Sequence, residues 1–233
     1  MKISVVIPAH NEEKYIKKCL ISLVRQDFND FEIIVCLNAC TDKTENIVKQ
    51  FRHIKRVKED QKGVVYARRK GTILASGQII ASADADTIYP KDWLSSIALN
   101  FQKNSKSVGL YGPVYLKDGP FFLKILAKYF YTPFLYLSKL LNKDNVAGMN
   151  FAFRKDIFDK VKGYNLDLKS AEDVDLAKRL KKFGKIDFDK NLIVWTSSRR
   201  FEKKFFRSLL HHVKNYFRVF VFKKTPEEFE DIR

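Results

Sequence analysis

Two aspartates stand one residue apart at the end of an apolar run, in the stretch "IIASADADTIYPKDWL" from Ile79 to Leu94. Side chains on an extended segment repeat every two residues, so Asp84 and Asp86 are expected to point the same way. Two carboxylates held close repel each other unless a cation sits between or beside them. Hard divalent ions such as Mg2+ or Mn2+ take oxygen ligands and leave room for substrate phosphates. A turn after a strand is the plainer alternative, because Asp is common there. A second acidic feature is "SAED", Ser170 to Asp173, ahead of the amphipathic "VDLAKRL". Asp173 reads either as a general base fixed at a helix start or as the partner of Ser170 in a capping box. The third feature, "PAHNEE", lacks the GxGxxG of a dinucleotide turn. Asn11 in it reads as a helix cap, or as one of several polar groups that hold a nucleotide at a strand-to-helix turn.

The elements that must position these residues follow from hydrophobic periodicity. "ISVVIP" and "FEIIVCL" read as buried strands, and "QIIASA" as another that ends at the aspartates. Apolar residues at helical spacing (Tyr15, Ile16, Cys19, Leu20, Leu23) predict a helix after the first strand. Further helices are expected over Thr41 to Phe51, Gly63 to Ala75 and Glu172 to Phe183, with strands in "VGLYGPVYL" and "VAGMNFAF". Apolar strands alternating with helices imply an α/β domain with a mostly parallel sheet covered on both faces. Ligands bind such sheets beyond the carboxyl ends of the strands, where Pro8 to Glu12, Leu37 to Asp42 and Asp84 to Asp86 all fall.

A chain of 233 residues with 45% hydrophobic and 14% aromatic residues builds a sizeable core. Its three cysteines, Cys19, Cys36 and Cys40, include no CxxC pair, which argues against a disulfide framework and for a reducing compartment. Cys36 and Cys40 lack the neighbouring His or Cys that a metal site needs. No signal peptide is evident ahead of "KISVVIP", and no apolar run reaches the roughly 18 residues of a spanning helix. The net charge of +17 points to a polyanionic partner: nucleic acid, an acidic membrane surface or a phosphorylated substrate.

Taken in order, "SVVIPAHNEEKYIKKCLISLVRQ", "FEIIVCLNACTDKT", "KGVVYARRKGTILASGQIIASADADT", "GMNFAFRKDIFDKVKGYN" and "SAEDVDLAKRLKKFG" resemble the family 2 glycosyltransferases of the GT-A fold. These are inverting enzymes that move a sugar from a nucleotide diphosphate donor, such as a UDP- or GDP-sugar, with Mg2+ or Mn2+ as cofactor. The resemblance spans roughly residues 2 to 200 and implies a Rossmann-like GT-A domain over residues 1–200. It implies that Pro8, Ala9, Asn11 and Glu12 contact the nucleoside and that Arg68 approaches the base or phosphates. Asp84 would bind ribose or a metal-bound water and is a second candidate for the metal, Asp86 would ligate the metal, and Asp173 would deprotonate the acceptor. Glu172, Arg199 and Arg200 complete the set as phosphate or acceptor contacts.

Three departures from the family pattern stand out. An acidic pair usual in the family is replaced by Leu37 and Asn38, and the amide of Asn38 reaches a base edge as donor or acceptor but not as a carboxylate. Ala67, Arg68 and Arg69 replace the common "ARN". The late metal-binding His of many relatives is absent from "VWTSSRRF", where Arg199 and Arg200 read as a bidentate phosphate clamp or as solvated surface arginines.

Two basic, aromatic segments account for much of the charge. Residues 201–233 read as a helical extension in which Phe205, Phe206, Leu209, Leu210 and Val213 share a face with basic residues opposite. In "GPFFLKILAKYFYTPFLYLSKLLNK" a continuous helix would keep Lys124, Lys128, Lys139 and Lys143 within one arc, with Pro133 kinking or dividing it. Both segments suit the plane of a membrane interface, and packing on the domain or dimerisation is the alternative. The reading is therefore a peripheral enzyme at the cytoplasmic face of the cell membrane, acting on a lipid-linked or glycan acceptor such as a polyprenyl phosphate, with no nucleic-acid partner. Competing readings are a non-catalytic nucleotide- or nucleic-acid-binding relic of the same fold, and a nucleotidyltransferase, in which the ED pair would have less purpose.

Overall fold

The structure, a computed structural model, describes residues 1–168 and 170–199; Arg200 and the expected extension over 201–233 lie outside the described residues. The chain runs through β1 (Ile3–Ala9), α1 (Ile16–Val24), β2 (Phe31–Asn38), α2 (Thr44–Lys49), β3 (Lys55–Glu59), α3 (Val64–Ile73), β4 (Ile79–Ser82) and β5 (Thr87–Ile88). Then come α4 (Trp93–Lys103), β6 (Ser107–Tyr111), β7 (Val114–Leu116), α5 (Phe121–Leu126) and α6 (Thr132–Leu140). The last elements are β8 (Phe151–Arg154), α7 (Lys155–Lys160), α8 (Glu172–Leu180), β9 (Lys185–Phe188) and β10 (Val194–Thr196).

Seven strands form the central sheet in the order β3-β2-β1-β4-β8-β6-β9. It is mostly parallel, as expected, with β8 inserted antiparallel between β4 and β6. Alternate side chains of β1 feed opposite layers: Ile3, Val5 and Ile7 pack with α1 and α4, and Val6 packs with the layer holding Phe151, Phe153, Phe158 and α8. Burial on both faces is why the inner strands read as unbroken apolar runs. β3, "KRVKE", is an edge strand of exposed and half-exposed residues, and it has no apolar run by which to be recognised.

The expected strands in the second half are shorter and differently placed. "VGLYGPVYL" divides between two sheets, β6 in the large one and β7 in a small sheet of order β5-β10-β7. In "VAGMNFAF" only the end is strand, because Gly148–Asn150 form a single 3-10 turn. The segment after Pro120 is helical, but a π-helical turn over Ala127–Tyr131 separates α5 from α6. That turn rotates the two halves out of the common phase that would keep four lysines in one arc. Lys139 correspondingly turns inward, donating to buried Asp144 at 2.8 Å and to the Ile186 carbonyl. Pro133 falls at the start of α6, where its missing N–H costs nothing.

The chain leaves one sheet for the other at Gly112, where a Cβ would run into the Leu192 carbonyl oxygen. Gly112→Ala is expected to cost about 1–3 kcal/mol by overpacking. It should lower the urea midpoint and leave the m-value unchanged.

Candidate active site

β1, β2 and β4 run parallel, so their carboxyl ends open on one rim. Ala83 donates to the Val6 carbonyl, and the next ladder bond would need an N–H that Pro8 lacks. The chain therefore peels away after Ser82, and Asp84 to Thr87 turn, with Thr87 N–H on the Asp84 carbonyl at 3.2 Å. The aspartates thus sit on a turn rather than on an extended strand end.

The loop after β1 is clipped to the loop after β2. The Cys40 thiol donates to the Ala9 carbonyl at 3.1 Å, and Asn11 Oδ1 accepts from the Thr41 N–H at 2.8 Å. Asn11 has φ 51°, a left-handed conformation that Asn tolerates better than most residues. It does not cap α1, which begins only at Ile16. Asn38 is spent on its surroundings: its Nδ2 donates to the Glu59 and Gln61 carbonyls, and its Oδ1 accepts from Gly63. No amide proton is left to donate to a base edge, which corrects that part of the expectation for Asn38.

Arg68 is bonded inside the protein. Its side chain is 4% exposed, on the buried face of α3. Its Nη2 donates to Asp84 Oδ1 at 2.6 Å, its Nε to Glu172 Oε1 at 3.2 Å, and its Nη1 to the Gly148 carbonyl at 3.1 Å and to Ser82 Oγ. One guanidinium thus ties the end of β4, the aspartate turn, the Gly148 turn and the start of α8. A Cβ at Gly148 would press on this guanidinium, so a side chain there would displace Arg68 from these partners.

Asp86 engages a different arginine. Arg199 Nη2 is 2.7 Å from Asp86 Oδ2 and also donates to Glu12 Oε1 at 2.7 Å, while Nη1 donates to Glu12 Oε2 at 2.9 Å. Thr196 donates to Asp86 Oδ1 at 3.3 Å, and Lys117 Nζ to the Asp86 carbonyl at 2.7 Å. Glu12, 2% exposed, is therefore an acceptor for Arg199 and lies in the same cluster as Asp86. Arg199 is neither a solvated surface residue nor, in this structure, a bidentate clamp on anything but Glu12.

The donor set is one of hard carboxylate oxygens that already attract a cation, the guanidinium. Among the described residues no group of three or more His, Cys, Asp or Glu forms a metal site. Asp84 and Asp86 are oxygen donors of the chemical kind that Mg2+ accepts, one or two carboxylates completed by phosphates and water, and each is bonded here to its own arginine.

Asp173 faces the Gly148 turn from the first turn of α8. Its Oδ2 accepts from the Gly148 N–H at 2.6 Å and its Oδ1 from the Val174 N–H at 2.8 Å. The N-cap of α8 is Ala171, at φ 53° and without a side-chain cap, so a Ser170–Asp173 capping box does not explain Asp173. Loss of solvent, with the Glu172 carboxylate adding to it, pushes the Asp173 carboxyl up to about 7, against the pull of Arg68 and the two backbone donors. Such a group takes a proton near neutral pH.

Four residues of this rim escape a reading of the sequence. Tyr15, which fits the apolar spacing of α1, instead carries Arg199 over its ring at 4.8 Å and Lys117 at 5.4 Å. Tyr131 and Tyr164 stand on the Asp173 side, their phenols raised by burial and, beyond it, by carboxylates that include Asp173. Lys117 had no motif around it; only the pairing of β7 with β10 brings it to Asp86. The aromatic richness of Tyr129 to Tyr136 was the one available signal for Tyr131.

Comparison with known proteins bears on this arrangement. A family model described as glycosyl transferase family 2 matches residues 4–162. A glucosyl-dolichyl phosphate glucuronosyltransferase of Haloferax volcanii is 23% identical over 180 residues, 71% of this chain and 56% of that protein. A PGL/p-HBAD biosynthesis glycosyltransferase of Mycobacterium tuberculosis is 28% identical over 179 residues, 74% of this chain and 66% of that protein. The chain spans from 20% to 66% of the length of such curated relatives. Among solved structures, a mannosyltransferase of Pyrobaculum calidifontis in complex with GDP-Man and Mn2+ superposes with a TM-score of 0.74 at 18% identity, covering 97% of this chain and 65% of that one. Residues 1–349 of Staphylococcus aureus TarS in complex with UDP superpose with a TM-score of 0.70 at 21% identity, covering 95% and 73%.

The environment of Asp173 sets a pH signature. Its folded value lies above the ordinary unfolded value of about 3.9, so its contribution to stability is present below that pH and is lost as pH rises toward 7. Asp173→Asn cannot ionise, and its stability relative to the wild type should improve between pH 4 and pH 8 in urea titrations. A difference that is flat with pH would contradict the raised value.

Proposed function

The chain belongs to glycosyl transferase family 2 and has the GT-A fold, and from that membership we propose that it moves a sugar from a nucleotide diphosphate donor to a hydroxyl of a lipid-linked acceptor, with inversion. The observation that supports this reading most is the link through Arg68, which holds Asp84 on one side and Glu172, beside Asp173, on the other. Donor and acceptor ends of a single displacement must face each other across the anomeric carbon, and one buried guanidinium between the two acidic groups is suited to keep that spacing.

Ala9 and Asn11, at the clipped loops of β1 and β2, would border the nucleoside, with Pro8 ending the ladder beneath. Asp86 and Asp84 would hold a divalent Mg2+ or Mn2+ ion, which when bound neutralises the charge that develops on the departing diphosphate. Arg199 and Lys117 add fixed positive charge to the same rim. Asp173 would accept the proton of the acceptor hydroxyl. Its raised value favours a hydroxyl over a phosphate as nucleophile, because a phosphate oxyanion needs no base. A sugar already carried on a polyprenyl lipid offers such a hydroxyl, and the Haloferax relative is named for transfer of that kind.

A surface suited to a membrane lies beside the acceptor side. Phe121, Tyr129, Phe130, Leu137, Leu140 and Leu141 are exposed, up to 81% at Leu140, with Lys124 and Lys128 among them. Exposed aromatic and aliphatic groups interleaved with lysine suit an anionic interface. No described helix is long and apolar enough to cross a membrane.

With a UDP- or GDP-sugar and Mn2+, Asp173→Asn should lower the transfer rate by about 10²- to 10⁴-fold, and the wild-type rate should rise with pH through 7 to a plateau. Full activity in Asp173→Asn or in Asp86→Asn would overturn the assignment. In flotation assays the protein should rise with anionic vesicles and not with neutral ones. Leu137→Glu with Leu140→Glu should abolish the recovery; recovery unchanged by these substitutions would place the membrane contact elsewhere.

A further inference from the structure

Arg199 stands where an incoming cation would have to go. Its three guanidinium nitrogens are used unequally. Nη1 serves Glu12 alone, Nη2 is shared between Glu12 and Asp86, each at 2.7 Å, and Nε is buried with no partner among the described residues. The bond to Asp86 is thus the second acceptor on one nitrogen. The pair with Glu12 is bidentate and largely buried, and breaking a buried ion pair is costly. The backbone that carries the side chain is fixed independently. Ser198 N–H donates to Asp118 Oδ1 at 2.6 Å, Arg199 N–H to Ser197 Oγ at 3.3 Å, and β10 is paired on both sides. The guanidinium can therefore give up Asp86 without undoing either the strand or its hold on Glu12, and Tyr15 beneath it offers a face along which it can slide.

We propose that Arg199 guards Asp86: in the donor-free protein its guanidinium occupies the carboxylate that a divalent ion needs, and it yields Asp86, while keeping Glu12, when the ion arrives together with a nucleotide diphosphate. The proposal rests on the donor-site reading above. Its consequence is that the ion alone binds poorly and that ion and nucleotide bind with positive coupling. Once off Asp86, Nη2 and the unpartnered Nε are free to donate to phosphate oxygens, so the same guanidinium passes from a carboxylate to the donor. Metal loading is thereby tied to the presence of the nucleotide.

The test is Mn2+ binding to the full chain, followed by the electron paramagnetic resonance signal of the free ion, without any nucleotide. Arg199→Gln should bind Mn2+ at least about tenfold more tightly than the wild type, a coupling of ordinary size between sites. Because Arg199→Gln removes the bidentate pair with buried Glu12, the doubly substituted Glu12→Gln/Arg199→Gln protein is measured beside it. This pair removes one charge of each sign, so a general electrostatic effect cancels and only the release of Asp86 remains. The same gain is expected, and adding Asp86→Asn should erase it. UDP or GDP should tighten Mn2+ binding to the wild type far more than to the double variant. Mn2+ affinity in the double variant equal to or weaker than the wild type would overturn the guard, whatever the transfer assays show. Failure of sugar transfer with the Mn2+ gain intact would instead count against the assigned reaction alone.

Discussion

The buried guanidinium of Arg68 is the interaction on which the rest of the site depends. A permanently charged group at 4% exposure is tolerated only where its donors are met by acceptors and its charge by carboxylates. Here Asp84, Glu172, Ser82 and the Gly148 carbonyl supply both. They come from three separate parts of the chain, so satisfying one side chain fixes the end of β4 with the aspartate turn that follows it, the turn before β8 and the first residue of α8. The consequence runs outward. With Gly148 held, its N–H is aimed at Asp173, and with Glu172 held, a second carboxylate stands beside Asp173 and raises its proton affinity.

A second cation, Arg199, organises the opposite rim in the same manner. The small β5-β10-β7 sheet brings residues 31 and 110 positions away in sequence to Asp86: Lys117 from beyond β7 and Thr196 from the end of β10, with Arg199 following just after that strand. The two arginines divide the labour. Arg68 has every nitrogen committed and acts as a fixed strut. Arg199 has one shared nitrogen and one without a partner among the described residues, which leaves it able to exchange partners.

Much of the frame was legible in the sequence because it is local. Apolar runs gave β1, β2 and β4, helical spacing gave α1, α3 and α8, and the rim at the strand ends followed from parallel topology. What escaped was decided by pairing at long range or by geometry finer than periodicity. β3 is a charged edge strand, and the strands of the small sheet are two or three residues long. Lys139 looked like part of an outward stripe until a π-helical turn changed its phase and buried Asp144 claimed it. The aspartates were read as a candidate cation site, but periodicity could not show that each answers to its own arginine. In the same way "ARR" marks positive charge near the site without saying that Arg68 is buried and tied to Asp84 and Glu172. Asn38 departs from the family pattern in a visible way, and only the loop bonds at Glu59, Gln61 and Gly63 show that its side chain serves the fold.

The claim that a fixed guanidinium joins the donor and acceptor sides is tested most directly by a crystal structure of the protein with Mn2+ and UDP or GDP bound. The account predicts that Arg68 keeps its bonds to Asp84 and Glu172 while the diphosphate lies at Asp86. Arg68 released from Asp84 and in contact with the phosphates would contradict it.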